Sequence, residues 1–387
     1  MTTQSPAGPD VPAVEVTREA SSAPSSPATP TDRASRMRDL HPGWFAAVMG
    51  TGIVAVASDG NPGGLTALAP AAHALGVAFA VLTYVLGAVL LVAYVVRWVR
   101  HTDACRADLR HPVLGAMHAT LPAGLLVLSV MTTAVGPRFL PSAVTVPLAG
   151  ALLAVGAVVG LVLGVAFAYT LFTGEVAAGS VNGGWFIPPV VTIIVPVATA
   201  ALVPHVGARD ARLLLVLGYA TFGMGFVLFL LTLGLLFARL VLHPLPPAAL
   251  APTVWIALGP VGVGALAALG LARQMPVASA ATAGAVGTVS LLFASALWGF
   301  GLWWLGIAVA LLVRYLRAGG FGFHLGWWAF TFPLGAFTVA TLTLARAWQT
   351  PVLEALGAAL YLLLVGTWAT VTVRTAAGTR TGVVWRR

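Results

Sequence analysis

Residues 70–98 read PAAHALGVAFAVLTYVLGAVLLVAYVVRW, an apolar run of the length that crosses a lipid bilayer. As a helix rising 1.5 Å per residue, these 29 residues would be roughly 43 Å long, against a hydrocarbon core of about 30 Å. The helix must therefore tilt or protrude from the bilayer. Nine further apolar segments lie elsewhere in the chain, so the sequence predicts an all-α integral membrane protein.

The composition of the 387-residue chain agrees, because only 8% of its residues are charged and 59% are hydrophobic. Soluble domains carry about 25% charged residues, so soluble enzymes, nucleic-acid modules and disulfide scaffolds are excluded. The net charge of +9 does not indicate a nucleic-acid partner, since all 20 basic residues are arginine and most lie between apolar runs. The one cysteine, Cys105, excludes a cysteine-ligated metal site and is predicted to be a loop thiol.

The chain is predicted to have three parts. Residues 1–40 are rich in Pro, Ser, Thr and Ala and lack an apolar signal region, which predicts a disordered cytoplasmic tail. Residues 41–375 form a predicted ten-helix transmembrane domain, and residues 376–387 a cytoplasmic C-terminal tail. Fifteen arginines fall on the face assigned to the cytoplasm and five on the other. This asymmetry predicts that both termini are cytoplasmic. The expected location is the plasma membrane, as a multi-pass protein.

The ten apolar segments alternate in character. Odd segments are short and interrupted by Gly or Pro, whereas even segments are longer and mostly lack interior proline. The interruptions near residues 51, 122, 189, 260 and 333 are 71, 67, 71 and 73 residues apart, which predicts a helical hairpin repeated five times. The segments lie at residues 42–58, 70–98, 112–135, 143–172, 185–204, 210–240, 251–271, 277–316, 325–347 and 351–374.

Five equivalent interruptions predict an inner ring of helices around a central pore, with the even helices outside. Backbone groups freed at the interruptions must face protein or a water-filled path, because lipid cannot satisfy them. The alternative is that Gly and Pro only permit close helix packing. The candidate pore-lining or helix-breaking residues are Gly50, Thr51, Gly52, Pro122, Gly124, Pro189, Pro196, Gly259, Pro260, Gly262, Phe330 and Pro333.

Two motifs resemble the tellurite-resistance/dicarboxylate transporter family. They are HPGWFA at residues 41–46 followed by VMGTGI at 48–53, and GWWAFTFPL at 326–334. The family includes tellurite-resistance protein A, fungal malate permeases, sulfite exporters and plant slow anion channels. The resemblance covers about residues 41–375 and implies five hairpins, a phenylalanine-gated pore and a homotrimer with one pore per protomer. It also implies transport of a small inorganic anion or a C4-dicarboxylate such as malate, and it leaves the anion open.

The residues themselves also favour an anionic solute. No Asp, Glu or Arg falls clearly inside an apolar segment, so a carboxylate ring for cations is not expected. Helix N-termini at the interruptions would supply weak positive partial charge. A proton-coupling carboxylate is missing too, which favours passive or weakly coupled flux over a proton-coupled dicarboxylate, sulfite or tellurite exporter. His118 is a candidate proton or anion contact, and the alternative is a neutral histidine bonded to a neighbouring helix.

The remaining polar residues are predicted to have structural roles. Histidines that precede proline, such as His41, are interpreted as turn residues, and Asn182 with Gly183 and Gly184 as a solvated loop. The sequence contains no metalloprotease, nucleophile-elbow, Walker or Rossmann pattern. No cofactor is therefore expected, and a membrane-embedded enzyme is a remote alternative.

Phe332 is the predicted gate. It precedes Pro333, which is expected to break the helix at mid-membrane and hold the ring where the interruptions converge. An apolar ring at that point would close the path by excluding water. Phe330 should point roughly 160° to 200° away around the helix, so that only one of the two faces the axis. The alternative is that Phe332 merely packs between helices.

Overall fold

The computed structural model describes residues 33–319 and 321–385, and over these residues the chain is helical and contains no strand. The all-α class predicted from sequence is confirmed. The α-helices of the described residues are α1 Arg33–Arg38, α2 Ala46–Asp59, α3 Ala69–Arg100, α4 Thr102–Leu109, α5 Leu114–Met117, α6 Thr120–Ala134, α7 Ser142–Thr173, α8 Ile187–Leu202, α9 Ala208–Leu242, α10 Leu258–Gln274, α11 Ala280–Ala318, α12 Thr331–Trp348 and α13 Pro351–Thr381.

Nine helical segments in the described part of the chain are long and apolar enough to cross a membrane. They correspond to the second to tenth predicted segments, and α3, for example, replaces the predicted range 70–98 with Ala69–Arg100. The first predicted segment is a 3₁₀ turn, Pro42–Phe45, followed by the 14 residues of α2, and it is not among the nine.

Odd segments lie inside the molecule and even segments outside. In the most apolar window of each spanning segment, 78% to 89% of the residues are buried in the odd segments and 17% to 28% in the even ones. Helices α2, α6, α8, α10 and α12 pack in a closed ring, in which each contacts the next and α12 returns to α2. Each outer helix packs mainly against the inner helix before it in the chain.

Four of the five inner segments begin with a 3₁₀ helix that leads into α-helix. Three further 3₁₀ helices, Gly183–Phe186, Ala248–Ala257 and Leu325–Phe330, precede α8, α10 and α12 in the way that Pro42–Phe45 precedes α2. In the remaining inner segment the short helix α5 precedes α6. Each inner segment therefore changes its backbone conformation near one end.

Four prolines predicted to break the inner helices lie instead in their first turn. Pro122, Pro189, Pro260 and Pro333 are each the third residue of their helix, α6, α8, α10 and α12 respectively. A first-turn N–H has no acceptor within the helix, so proline removes no hydrogen bond there. The expected break in mid-helix is therefore wrong for these four. Pro196 differs, because it lies inside α8.

The glycines of the first inner segment allow neighbouring helices to pack closely against α2. Gly50 and Gly52 belong to the uninterrupted helix α2, so the predicted break near residue 51 is also wrong. A Cβ on Gly50 would overlap the side chain of Thr331 in α12, and one on Gly52 would lie 2.7 Å from Cγ1 of Val127 in α6. The close packing of α2 against both of its neighbours in the ring, α6 and α12, therefore requires glycine at these two positions.

Gly262→Ala is expected to lower stability through the same kind of contact. A Cβ at Gly262 would lie 2.5 Å from the carbonyl carbon of Ala336, and backbone cannot move aside as a side chain can. Overpacking of this type costs about 1–3 kcal/mol, which thermal melting in detergent would detect. The matched control is Gly223→Ala in α9, where a Cβ meets no atom within 4 Å. An equal loss in both variants would contradict the packing argument.

Several predicted boundaries and assignments change. Helix α1 lies within the predicted disordered tail 1–40, of which residues 1–32 fall outside the described residues. Helix α13 extends to Thr381, past the predicted end of the membrane domain at residue 375. Cys105 is buried on α4, so the prediction of a loop thiol is wrong. Arg97, near the end of the predicted segment 70–98, is a buried residue of α3.

Candidate functional site

One cavity lies where the N-terminal ends of all five inner segments meet. Its volume is about 70 Å³, which holds a few water molecules. Because every inner segment contributes at its N-terminal end, these five ends face the same side of the molecule. The lining residues are His41, Gly43, Ala46, Met49, Met117, Thr120, Ile187, Val190, Thr253, Ile256, Leu325, Gly326, Trp328, Ala329, Phe332 and Pro333.

The cavity is apolar and uncharged apart from a few short polar groups. Among the described residues, no carboxylate and no arginine lines it. The hydroxyl of Thr120 donates to the carbonyl oxygens of Pro42, at 2.9 Å, and Met117, at 2.8 Å. The hydroxyl of Thr253 donates to Leu250 O at 2.6 Å. Both hydroxyl protons are already engaged within the protein.

Helix dipoles are the remaining source of electrostatic attraction. The N-terminal end of a helix carries about half a positive elementary charge. Five such ends point toward one cavity, and the low dielectric of an apolar lining weakens each dipole less than water would. The geometry therefore favours a negatively charged solute, which it attracts without a fixed cationic side chain to hold it.

Phe332 and Phe330 have different surroundings. Phe332, the second residue of α12, lines the cavity beside Pro333, and its ring edge approaches Gly259 of α10. Phe330, the last residue of a 3₁₀ turn, packs edge-on against the ring of Trp255, with ring centres 5.2 Å apart. Both side chains are 5% exposed, so their burial is equal although their surroundings differ.

Side-chain caps hold three of the turns that surround the cavity. His41 Nδ1 accepts from Gly43 N at 2.9 Å, and His324 Nδ1 accepts from Gly326 N at 3.1 Å. These bonds satisfy backbone donors at the start of each turn, as N-caps do. A Cβ on Gly326 would lie 2.6 Å from the imidazole of His324, so the motif His-x-Gly requires its glycine. The motif occurs at both positions in the sequence and is the signal that sequence reasoning missed.

Asn182 is the third cap, and here the sequence interpretation was wrong. The residue is fully buried rather than solvated, and its Oδ1 accepts from Gly184 N at 2.8 Å. Gly183 is also buried, because a Cβ there would collide with the backbone of Thr253. The predicted polar loop is therefore part of the packed start of the third inner segment.

Other candidate residues lie away from the cavity. The Thr51 hydroxyl donates to Ala47 O at 2.8 Å and accepts from Trp368 Nε1 of α13 at 3.0 Å, so it faces an outer helix. His118 is buried between α5 and α6, where its ring meets Trp98 of α3 edge-on with centres 6.2 Å apart. This packing favours the structural alternative for His118 over contact with the solute.

The candidate glycines and prolines contribute mainly through packing. Gly124 leaves room for Phe45, since a Cβ there would lie 2.8 Å from Cδ1 of that ring. Gly262 permits the approach of α10 to α12, as described above. Pro189 borders a separate apolar groove between α7 and α9. Of the twelve lining or breaking candidates and Phe332, only Phe332 and Pro333 border the cavity directly.

Comparison with known proteins gives evidence on the family of the chain that does not depend on the structure. The family model described as voltage-dependent anion channel, SLAC1, matches residues 39–376. An uncharacterized transporter of Methanocaldococcus jannaschii is 33% identical over 351 residues, which cover 90% of this chain and 96% of that protein. The sulfite efflux pump SSU1 of Trichophyton rubrum is 29% identical over 344 residues, covering 86% and 89% of the two chains.

Proposed function

The chain belongs to the voltage-dependent anion channel (SLAC1) family, and from this premise we propose that it conducts a small inorganic anion through a central path closed by Phe332. The family consists of transporters and channels, so the chain is an anion transporter of the membrane and not an enzyme. The choice of anion, the gate and the mode of transport belong to the proposal.

The observation that carries the proposal is the cavity shared by the five inner segments. An anion entering there meets five helix N-termini and an uncharged wall. Attraction by dipoles is weaker than by an arginine, for which a contact at 4 Å would contribute about 4 kcal/mol at an effective dielectric of 20. Weak attraction allows rapid release, which a conducting path requires.

The size of the cavity favours small anions among those that the family carries. A volume of about 70 Å³ admits chloride, nitrate or sulfite more readily than malate, which has more than twice as many heavy atoms as nitrate or sulfite. Sulfite is of particular interest because a relative is named as a sulfite efflux pump. Malate remains the substrate to test against these.

Flux through purified protein in liposomes tests the proposal. We expect chloride, nitrate and sulfite to follow their own gradients without a pH gradient, and malate to move more slowly. A strict requirement for a pH gradient would replace the passive path with the second candidate, a proton-coupled exporter. That candidate is favoured by the similarity to a protein named as an efflux pump.

The proposed topology has ten spans in five hairpins, with α2 as the first span. Support comes from the packing of each outer helix on the inner helix before it and from the closed ring that includes α2. The arginine asymmetry orients the shared N-terminal ends toward the cytoplasm. The cavity then opens to the cytoplasm of a plasma-membrane protein whose two termini are also cytoplasmic.

A cysteine introduced on α4 should react only from the cytoplasmic side. Because Cys105 is buried, the test uses Ala107→Cys, an exposed position on the same helix, in a Cys105→Ala background. We expect a membrane-impermeant thiol reagent to label it in inverted vesicles and not in intact cells. Labelling of intact cells would reverse the proposed orientation, and the Cys105→Ala chain alone serves as the unlabelled control.

The assembly proposed from the family resemblance is a homotrimer with one path per protomer. Its support is that the outer helices expose large apolar side chains such as Val165 and Phe172, which need lipid or a partner to cover them. The mass of the protein in native nanodiscs tests this directly. A monomeric mass with full flux would show that one chain suffices.

A further inference from the structure

A groove of about 710 Å³ lies between α1, α3 and the C-terminal end of the described chain, away from the cavity. Its apolar wall is formed by Val89, Leu90 and Ala93 on the outward face of α3. The rings of Trp44 and Trp385, with centres 5.6 Å apart, border the groove on another side. The groove is therefore lined by apolar surface along a helix that is long and apolar enough to cross a membrane.

One end of this groove is cationic. Arg36, Arg100 and His101 line it, and both arginines are exposed. Within residues 33–319 and 321–385, neither arginine has a carboxylate oxygen within 4 Å. The adjacent Arg38 differs, since it pairs with Asp103 at 2.5 Å. Two positive charges at the groove are thus uncompensated by the described residues.

We propose that this groove binds one anionic phospholipid, whose phosphate lies between Arg36 and Arg100 and whose acyl chains follow α3. The distance along the helix from Val89 to Arg100 is about 16 Å, close to half of a hydrocarbon core of about 30 Å. One lipid therefore reaches from the cationic end to the apolar wall. A free phosphate would use only the arginines and leave the apolar wall uncovered.

The bound lipid would stabilise the segment Pro42–Phe45, which begins the first inner segment and borders the cavity. Trp44, which borders the groove, belongs to the 3₁₀ turn Pro42–Phe45, and its neighbour Gly43 lines the cavity. The same turn is attached to α3 because the Tyr94 hydroxyl donates to the carbonyl oxygen of Pro42. The lipid and the solute would thus contact neighbouring residues of one short segment.

Native mass spectrometry and thermal melting of the full chain with added phosphatidylglycerol test the proposal. We expect one tightly held phosphatidylglycerol per chain and a raised melting temperature. Arg36→Gln/Arg100→Gln should weaken its binding roughly tenfold or more, because each arginine near an anionic headgroup contributes several-fold in affinity. The control Arg314→Gln/Arg317→Gln removes two exposed charges near the end of α11 and should leave binding unchanged.

Three results would overturn the site. They are unchanged binding in the Arg36/Arg100 variant, an equal loss in the Arg314/Arg317 control, and equal affinity for phosphatidylcholine. Competition by inorganic phosphate at millimolar concentration would show an ion site without a lipid. If the double variant does not fold, Arg36→Gln and Arg100→Gln are measured singly, and each should lose about fivefold in affinity.

Discussion

Phe332→Ala is expected to raise anion conductance by about tenfold or more, because the ring that borders the cavity is replaced by a methyl group. An apolar constriction excludes water and therefore ions, and widening it restores a hydrated path. Conductance is measured in planar bilayers, with a melting curve on the same preparation. If the ring only packed between helices, its loss would cost about 3–5 kcal/mol in stability without a gain in current.

Phe330→Ala is the matched control. The two phenylalanines are equally buried, at 5% exposure, but Phe330 packs on Trp255 instead of bordering the cavity. We expect this variant to lose stability and to keep the conductance of the unaltered protein. A folded Phe332→Ala protein with unchanged conductance would refute the gate, and a gain from Phe330→Ala would transfer the gate to that residue.

Most helix positions followed from the sequence because the apolar runs are long. Residues 143–172 were predicted as one segment, and α7 covers Ser142–Thr173. A run of that length has no alternative to a helix in lipid, since all its backbone groups must bond internally. The alternation of short interrupted and long uninterrupted segments also separated the buried helices from the exposed ones.

The conformation at the start of each inner segment did not follow from the sequence. Pro333 was expected to break a helix, yet it occupies a first turn where its missing N–H has no effect. A proline in mid-helix and a proline in a first turn look the same in the sequence. Only the position of the helix start distinguishes the two cases. No side-chain cap marks that position, because Phe330 at the N-cap of α12 makes no such bond and His324 caps the preceding 3₁₀ helix instead.

The different surroundings of Phe330 and Phe332 were predicted for a reason that holds only in part. Side chains two positions apart in one α-helix point about 200° apart around the helix axis. Phe330, however, ends a 3₁₀ helix, and Phe332 belongs to α12. The change of helix type between them adds to their separation. Their contacts with Trp255 and the cavity depend on residues more than sixty positions away or on other helices, which a local pattern does not reveal.

Burial of charge was likewise hidden from the sequence. Arg97 and Asp108 both fall in or beside what resembles a polar loop, yet their side chains are 2% and 5% exposed and form an ion pair at 2.6 Å. The guanidinium Nε of Arg97 also donates to Arg38 O at 3.0 Å. The pair therefore joins α3 to α4 and holds the end of α1, next to the turn that begins the first inner segment.

Removing one partner of this buried pair is expected to destabilise the protein strongly. Arg97→Met leaves the Asp108 carboxylate buried without its main cation, and Asp108→Leu leaves the guanidinium in the same position. Each change should cost about 3–5 kcal/mol in the free energy of unfolding. The double variant Arg97→Met/Asp108→Leu should recover most of the loss, because a buried pair replaced by apolar groups is often neutral. Reversible unfolding in mixed micelles measures all three.

The control is the exposed ion pair between Arg38 of α1 and Asp103 of α4. Its partners are 50% and 64% exposed at a similar distance of 2.5 Å, and the Arg38 guanidinium lowers the pKa of the Asp103 carboxyl. Water screens this pair, so Arg38→Gln or Asp103→Asn should change stability little. Equal losses at both pairs would show that burial is not what gives the Arg97 pair its effect. A double variant no more stable than either single one would show instead that Arg97 acts through Arg38 O and α1.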